Sequence, residues 1–133
     1  RGKAMRLSNG RTITVHGIQI EAVPMYNLTK DRLQYHDKGR GNGYVLTIGG
    51  KRIYVAGDTE DIPEMRALRN IDVAFVPMNL PYTMTPKQAA DAVREFKPRV
   101  VYPYHFGKSD VSEFARIVGS DAGVEVRVRN WYP

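Results

Sequence analysis

Cysteine is absent from this sequence. Disulfides and cysteine-ligated zinc are thereby excluded, so any transition metal must rely on histidine, aspartate or glutamate. Histidine is itself scarce, with three copies, His16, His36 and His105, no two of them near each other in sequence. No apolar run approaches the ~20 residues that a membrane-spanning helix needs, and no secretory signal pattern opens the chain. A cytoplasmic location is the expectation, since a cysteine-free chain is compatible with a reducing compartment. Repeats, low-complexity tracts and linkers are lacking too, which points to one domain over residues 1–133. The chain starts on Arg1-Gly2-Lys3 rather than methionine, and is therefore expected to have been cut, processed or trimmed upstream.

Apolar residues make up 42% of the sequence and charged residues 26%, a balance that suits a packed globule and not a disordered tail. The net charge is +6. A basic surface attracts nucleic acid or acidic substrates. The basic residues are scattered, however: Arg6 and Arg11 early, Lys30, Arg32, Lys38 and Arg40 in one loop, Arg127 and Arg129 late. Ordinary solvated faces account for them better than a nucleic-acid stripe, although Tyr26, Tyr35 and Tyr44 lie near basic residues. Salt-dependent binding to oligonucleotides would raise the nucleic-acid reading, and no retention on a heparin column would remove it.

Along the chain, residues 11–24 alternate with period two around His16-Gly17 and read as a hairpin, with His16 a turn residue. A long polar connection, residues 25–42, follows and carries His36; connections of this length in compact domains are functional or mobile. Its Gly39, Gly41, Gly43 spacing has no leading strand and no following helix, so the phosphate-loop readings fail. Flexibility or close backbone approach accounts for those glycines. Residues 44–48 and 53–56 make strands joined by Gly49-Gly50. A short helix is predicted over about 62–69, a strand over 71–77, and a helix that starts with a Thr85–Gln88 capping box, has Pro86 in its first turn and ends at Pro98. A strand over 100–104, a helix capped by Asp110 and closed by Gly119, and a strand over 124–128 complete the chain. The order is that of an α/β protein with a mixed sheet and about three helices covering a face.

The apolar run Ile53-Tyr54-Val55-Ala56 ends abruptly in Gly57-Asp58-Thr59. Taken alone, Gly-Asp-Thr is a turn with Asp58 as a cap. Yet Asp58, the Asn79 loop and His105 each follow a buried strand. If those strands are parallel neighbours, their tips converge on one edge, where α/β proteins bind ligands.

These residues bring a family into view. Residues Glu21-Ala22-Val23-Pro24-Met25-Tyr26-Asn27, His36-Asp37-Lys38-Gly39, Gly43-Tyr44-Val45-Leu46, Ala56-Gly57-Asp58-Thr59, Tyr82-Thr83-Met84-Thr85-Pro86 and Pro103-Tyr104-His105 stand in an order and spacing that resembles the metallo-β-lactamase fold superfamily. The resemblance is closest to its ascorbate-6-phosphate lactonase-like branch and covers roughly residues 18–107. It implies a binuclear centre of zinc or manganese that hydrolyses an ester, lactone or phosphoester through a metal-bound hydroxide. It implies that Asp58 matches the aspartate bridging both metals and that His105 matches the last histidine ligand. Many relatives carry a histidine where this chain reads Tyr26-Asn27; His36 either takes over that role as a ligand, contacts the substrate, or is an ordinary loop histidine. Asn79, Tyr82 and Thr83 are placed on a loop bordering the substrate cleft, against the alternative that Tyr82-Thr83-Met84 is a lead-in to the Thr85 cap.

One departure stands out: the family's His-x-His-x-Asp-His motif is missing. Those ligands normally lie in the N-terminal half of the fold. The chain therefore resembles the C-terminal half of an αββα sandwich, with the N-terminal metal-binding half absent. By itself it is expected to bind metal weakly and to lack hydrolase activity. A large apolar face is expected to be left open and to drive self-association, domain swapping or pairing with an N-terminal fragment of the same protein. A non-catalytic assembly or binding module on the same scaffold is the competing reading.

Overall fold

The computed structural model describes residue 2 and residues 4–132; Arg1 and Lys3 of the chain start lie outside them. Seven strands form one sheet in sequence order: β1 (Thr12–Val15), β2 (Ile18–Met25), β3 (Gly41–Ile48), β4 (Lys51–Val55), β5 (Val73–Pro77), β6 (Val100–Tyr104) and β7 (Glu125–Val126). The first four run antiparallel, and β4 to β7 run parallel. Helices α1 (Pro63–Arg66), α2 (Pro86–Phe96) and α3 (Val111–Val118) lie in the three parallel crossovers. Among the described residues no helix is long and apolar enough to cross a membrane.

Topology explains why the helices gather on one side. Parallel crossovers are almost always right-handed. Each crossover here steps in the same direction along the sheet, so each delivers its helix to the same face. Accordingly α1 packs on α2 and α2 on α3. The residues that face them, Val45, Tyr54, Ala74, Val76 and Val101, are fully buried. Their alternates, Leu46, Ile53, Val73, Phe75 and Tyr102, point the other way and stay half-exposed. A stack of Phe75 on Tyr102, with centroids 5.3 Å apart, and Trp131 lying across both cover part of that second face.

Local signals match the expectations at most joints. Gly49 and Gly50 both have positive φ in the β3–β4 turn, and His16 sits in the β1–β2 turn. The Thr85 hydroxyl accepts from Gln88 N–H while the Gln88 side chain accepts from Thr85 N–H, closing the capping box. Asp110 caps α3. Three expectations are corrected. Strand β3 begins at Gly41, not Tyr44. Its Gly43 lies where a Cβ would come within 2.6 Å of the Ala56 carbonyl oxygen, so close backbone approach is the reason for glycine there. Helix α1 is a single turn, because burying Ile62 and Met65 takes only that much and the chain must return to pair Asp72 N–H with Arg52. The final strand is only Glu125–Val126. Arg127 N–H still reaches the Val101 carbonyl, but the next bond of a parallel ladder would come from residue 103, and Pro103 has no N–H to give.

Candidate metal centre

Strands β4, β5 and β6 are parallel neighbours, so their carboxyl ends share one edge of the sheet. Chain turns at that edge place the side chains. Gly57 takes a left-handed φ of +73° directly after β4, and its N–H donates to the Tyr104 hydroxyl at 3.0 Å. Asp58 follows. The buried Thr59 hydroxyl accepts from Tyr26 N–H, tying this turn to the end of β2. His105 leaves β6 with φ +45°, a conformation that strains a bulky residue and recurs at functional sites.

His36 and His105 both reach Asp58. One carboxylate oxygen lies 2.8 Å from His105 Nδ1, and the other lies 3.4 Å from His36 Nε2. The Asp58 side chain is 38% exposed and that of His36 19%, so the cluster opens to solvent. The hydrogen-bond partners assign the ring protons. His36 Nδ1 is 3.0 Å from the Tyr82 carbonyl, which only accepts, and 3.4 Å from the Asn27 amide nitrogen; the shorter contact assigns the proton of the neutral ring to Nδ1 and turns the Nε2 lone pair toward Asp58. His105 donates Nδ1–H to Asp58, leaving Nε2 to accept from the Asn79 amide at 3.0 Å.

With the His36 ring neutral, one junction in this chain of bonds has no proton to share. At His36 Nε2 and Asp58 Oδ2, two lone-pair atoms face each other across 3.4 Å. A charge-assisted N–H···O bond would close to about 2.7–2.9 Å. Two ligands on one tetrahedral zinc, at ordinary Zn–N and Zn–O lengths, stand about 3.4 Å apart. The donors thus fit a divalent metal in kind and in this one separation. They fall short in number: among the described residues no group of three His, Asp or Glu side chains is disposed to hold a metal. His105 has both ring nitrogens engaged by protein partners, and would ligate only with the Asn79 amide turned aside.

The remaining candidates occupy one loop. The Asn79 amide touches His105. The Tyr82 ring is exposed and meets Tyr35 edge-on at 5.0 Å, while its carbonyl receives both His36 and the Asn27 amide. Thr83 is fully buried; its hydroxyl accepts from Asn79 N–H and donates to the Asn79 carbonyl. Tyr104 stays a phenol: burial pushes its hydroxyl up to about 12, against the pull of the Gly57 N–H and with a further push from Asp58.

A buried carboxylate beside the centre escaped the sequence reading. Glu60, fully enclosed, accepts from Leu28 N–H, from Thr29 N–H and Oγ1 at 2.6 Å each, and from Arg32. Burial works to raise its carboxyl, but the bonds from Thr29, Leu28 and Arg32 outweigh this and hold it below the 4.5 of a free glutamate. A folded-state value below the unfolded one stabilises the fold above the unfolded value and loses that contribution as pH falls through the folded one. Stability measured by urea unfolding should therefore drop between pH 5 and pH 3, and drop less steeply in Glu60→Gln. Equal slopes would show that this carboxylate is not a source of acid lability. Its partners lie about thirty residues away in sequence, with no periodic spacing; the one signal was a carboxylate standing directly after Thr59.

A groove of about 950 Å³ lies at the opposite end of the parallel strands, lined by Lys51, Ile53, Asp72, Arg99 and Val124 among others. Neither histidine of the cluster nor Asp58 borders it.

Comparison with known proteins identifies the family of the fold. A family model described as a beta-lactamase superfamily domain matches residues 2–106. A UPF0173 metal-dependent hydrolase of Thermococcus onnurineus is 37% identical over 119 residues, covering 83% of this chain and 52% of its own length. A crystal structure from Parabacteroides distasonis, named as a metal-dependent hydrolase, superimposes with a TM-score of 0.91 at 52% identity, covering 96% of this chain and 58% of that one. Igni18, a metallo hydrolase from Ignicoccus hospitalis, follows with a TM-score of 0.76 at 28% identity, over 94% of this chain and 57% of its own. The chain thus spans about half the length of the curated relatives it matches.

Proposed function

The chain belongs to the beta-lactamase superfamily, and on that premise we propose that it is the C-terminal part of a cytoplasmic metal-dependent hydrolase. The observation that carries this reading is the convergence of two histidines on one carboxylate, His105 Nδ1 2.8 Å from one Asp58 oxygen and His36 Nε2 3.4 Å from the other. Asp58 and His36 would hold the metal, with His105 joining them when Asn79 turns away. A divalent ion at such a site supplies electrophilic activation and lowers the pKa of bound water. Zinc and manganese both suit histidine and carboxylate donors. The chain's own residues orient the ligands: the Tyr82 carbonyl fixes the His36 tautomer, and Asn79 marks the His105 ring. Asn79 and Tyr82 border the substrate, and Thr83 keeps their loop in shape. An ester, lactone or phosphoester is the substrate class, with a sugar-phosphate lactone of the ascorbate-6-phosphate kind among them by family resemblance.

Three donors do not make a closed binuclear site. The reading therefore places the other ligands on an N-terminal half that the relatives' length leaves room for. Metal analysis tests it. The 133-residue chain should retain less than one tightly bound ion after dialysis and show no hydrolase activity, and both should appear when the N-terminal half is supplied. A tight two-metal centre in the chain alone would overturn the division of ligands. The half-exposed sheet face around Val73, Phe75 and Tyr102 supports the same division, because a sheet whose second face is apolar buries it against another layer. Sedimentation velocity at high concentration should show species larger than the monomer. A single monomeric boundary would count against an open association face. A non-catalytic assembly module is favoured only by the doubly engaged His105, and metal-dependent turnover by the complete protein would exclude it.

A further inference from the structure

The connection between β2 and β3 carries His36 yet holds only one turn of 3-10 helix, at Lys30–Arg32. Its position must come from side-chain ties, and these converge on one buried ion pair. All four donors to the Glu60 carboxylate, Leu28 N–H, Thr29 N–H, Thr29 Oγ1 and Arg32 Nη1, belong to this connection. Arg32 in turn donates to the Gln88 side chain at 2.8 Å and to the Thr83 carbonyl at 3.3 Å. Gln88 is held by the α2 capping box, and Thr83 is the neighbour of Tyr82. Asn27 closes the frame: its N–H bonds to the His36 carbonyl at 2.9 Å, and its amide reaches the Arg32 carbonyl at 3.0 Å and the Tyr82 carbonyl at 2.7 Å. The backbone of His36 and the carbonyl that receives its ring are thereby referred to the same ion pair.

We infer that the buried Glu60–Arg32 pair positions the His36 ring, holding it in the Nδ1–H tautomer with Nε2 presented to Asp58 and to a divalent metal. The inference rests on the metal reading above for the ligand, but not for the ring's orientation. A buried ion pair is weak evidence for stability, since apolar residues of similar volume often serve a fold as well. What this pair supplies is direction: two oxygens and a fork of donors fix a loop that has no ladder of its own. Outer partners of metal-bound histidines set tautomer and ring angle in the same way.

The test uses the whole chain and a variant that keeps the volume but removes the polarity, Glu60→Leu with Arg32→Met. Long-range proton–nitrogen NMR correlations of the imidazoles, at a pH where they are neutral, should show His36 as a single Nδ1–H tautomer in the wild type. The double variant should show mixed tautomers at His36 with the His16 signals unchanged. Cobalt(II) affinity, read by absorption titration, should fall about 10–100-fold, the usual cost of losing a partner behind a metal-bound histidine. A folded double variant that keeps the single tautomer overturns the inference. If that variant does not fold, Arg32→Gln decides, since it breaks the ion pair yet leaves Glu60 its bonds from Leu28 and Thr29; an unchanged His36 spectrum there overturns it equally. His36→Ala separates the two readings: cobalt affinity that survives it sinks the metal assignment, while the tautomer measurement still decides the positioning role.

Discussion

Asp58→Ala is expected to weaken divalent metal binding to the chain by about 100-fold or more. Loss of a group behind a metal-bound histidine already costs about 10–100-fold. Asp58 is closer than that: its two oxygens face His105 Nδ1 and His36 Nε2, so its removal would delete the proposed ligand itself and the carboxylate on which both rings converge. Cobalt(II) titration, with His16→Ala as the control, measures the effect. His16 sits in the β1–β2 turn, far along the chain from the cluster, and its removal should change nothing. Asp58→Asn should also bind poorly, because an amide keeps the shape but loses the charge. Wild-type affinity in Asp58→Ala would place any metal elsewhere and return Gly57-Asp58-Thr59 to the role of a turn.

The second large effect concerns the layer beneath the site. Phe96 is the last residue of α2, is 2% exposed, and meets the buried Tyr54 of β4 edge-on at 5.9 Å. Phe96→Ala should lower stability by about 3–5 kcal/mol, the range for a buried aromatic cut to a methyl group. Of this, about 0.5–1.5 kcal/mol belongs to the edge-on pair itself. For a domain of this size the melting temperature should fall by roughly 10–20 °C. Chemical denaturation of Phe96→Ala, Tyr54→Ala and the double variant separates the pair from the cavity. A loss below about 0.5 kcal/mol for Phe96→Ala, inside the range of surface substitutions, would mean that α2 does not seal the sheet at this point.

The two substitutions act at different depths, and so did the sequence's legibility. Element types were readable because their signals are local. Thr85 with Gln88 three residues on, Pro86 in the first turn and a repeating apolar stripe dictate α2 without help from the rest of the chain. The Gly49-Gly50 hairpin and the Asp110 cap are of the same kind. Boundaries failed where a partner strand decided them. Strand β7 stops because Pro103, some twenty residues earlier and in another strand, cannot donate. Strand β3 starts early because β2 pairs with it as far as Gly41, opposite Met25, and the Ala56 carbonyl leaves room only for glycine at position 43.

The meeting of Asp58 and His105 was legible because each ends a buried strand, and the order of three such ends implies a shared edge once the strands are parallel. The parallel pairing of β4, β5 and β6 itself needed the structure. His36 was legible only as a histidine in a long connection, with three roles open. Its approach to Asp58 depends on Glu60, Arg32, Asn27 and the Tyr82 carbonyl, residues with no common spacing. By itself, then, the sequence determined the residue types available for chemistry, the absence of thiolate ligands, the α/β order and the strand ends that carry Asp58 and His105. The tertiary structure alone decided that all helices cover one face, that His36 turns Nε2 toward Asp58, and that a buried ion pair stands behind it. The reason is range: period, caps and turn residues act within a few neighbours along the chain, whereas a tautomer or a buried charge is set by whichever groups folding brings within hydrogen-bond reach.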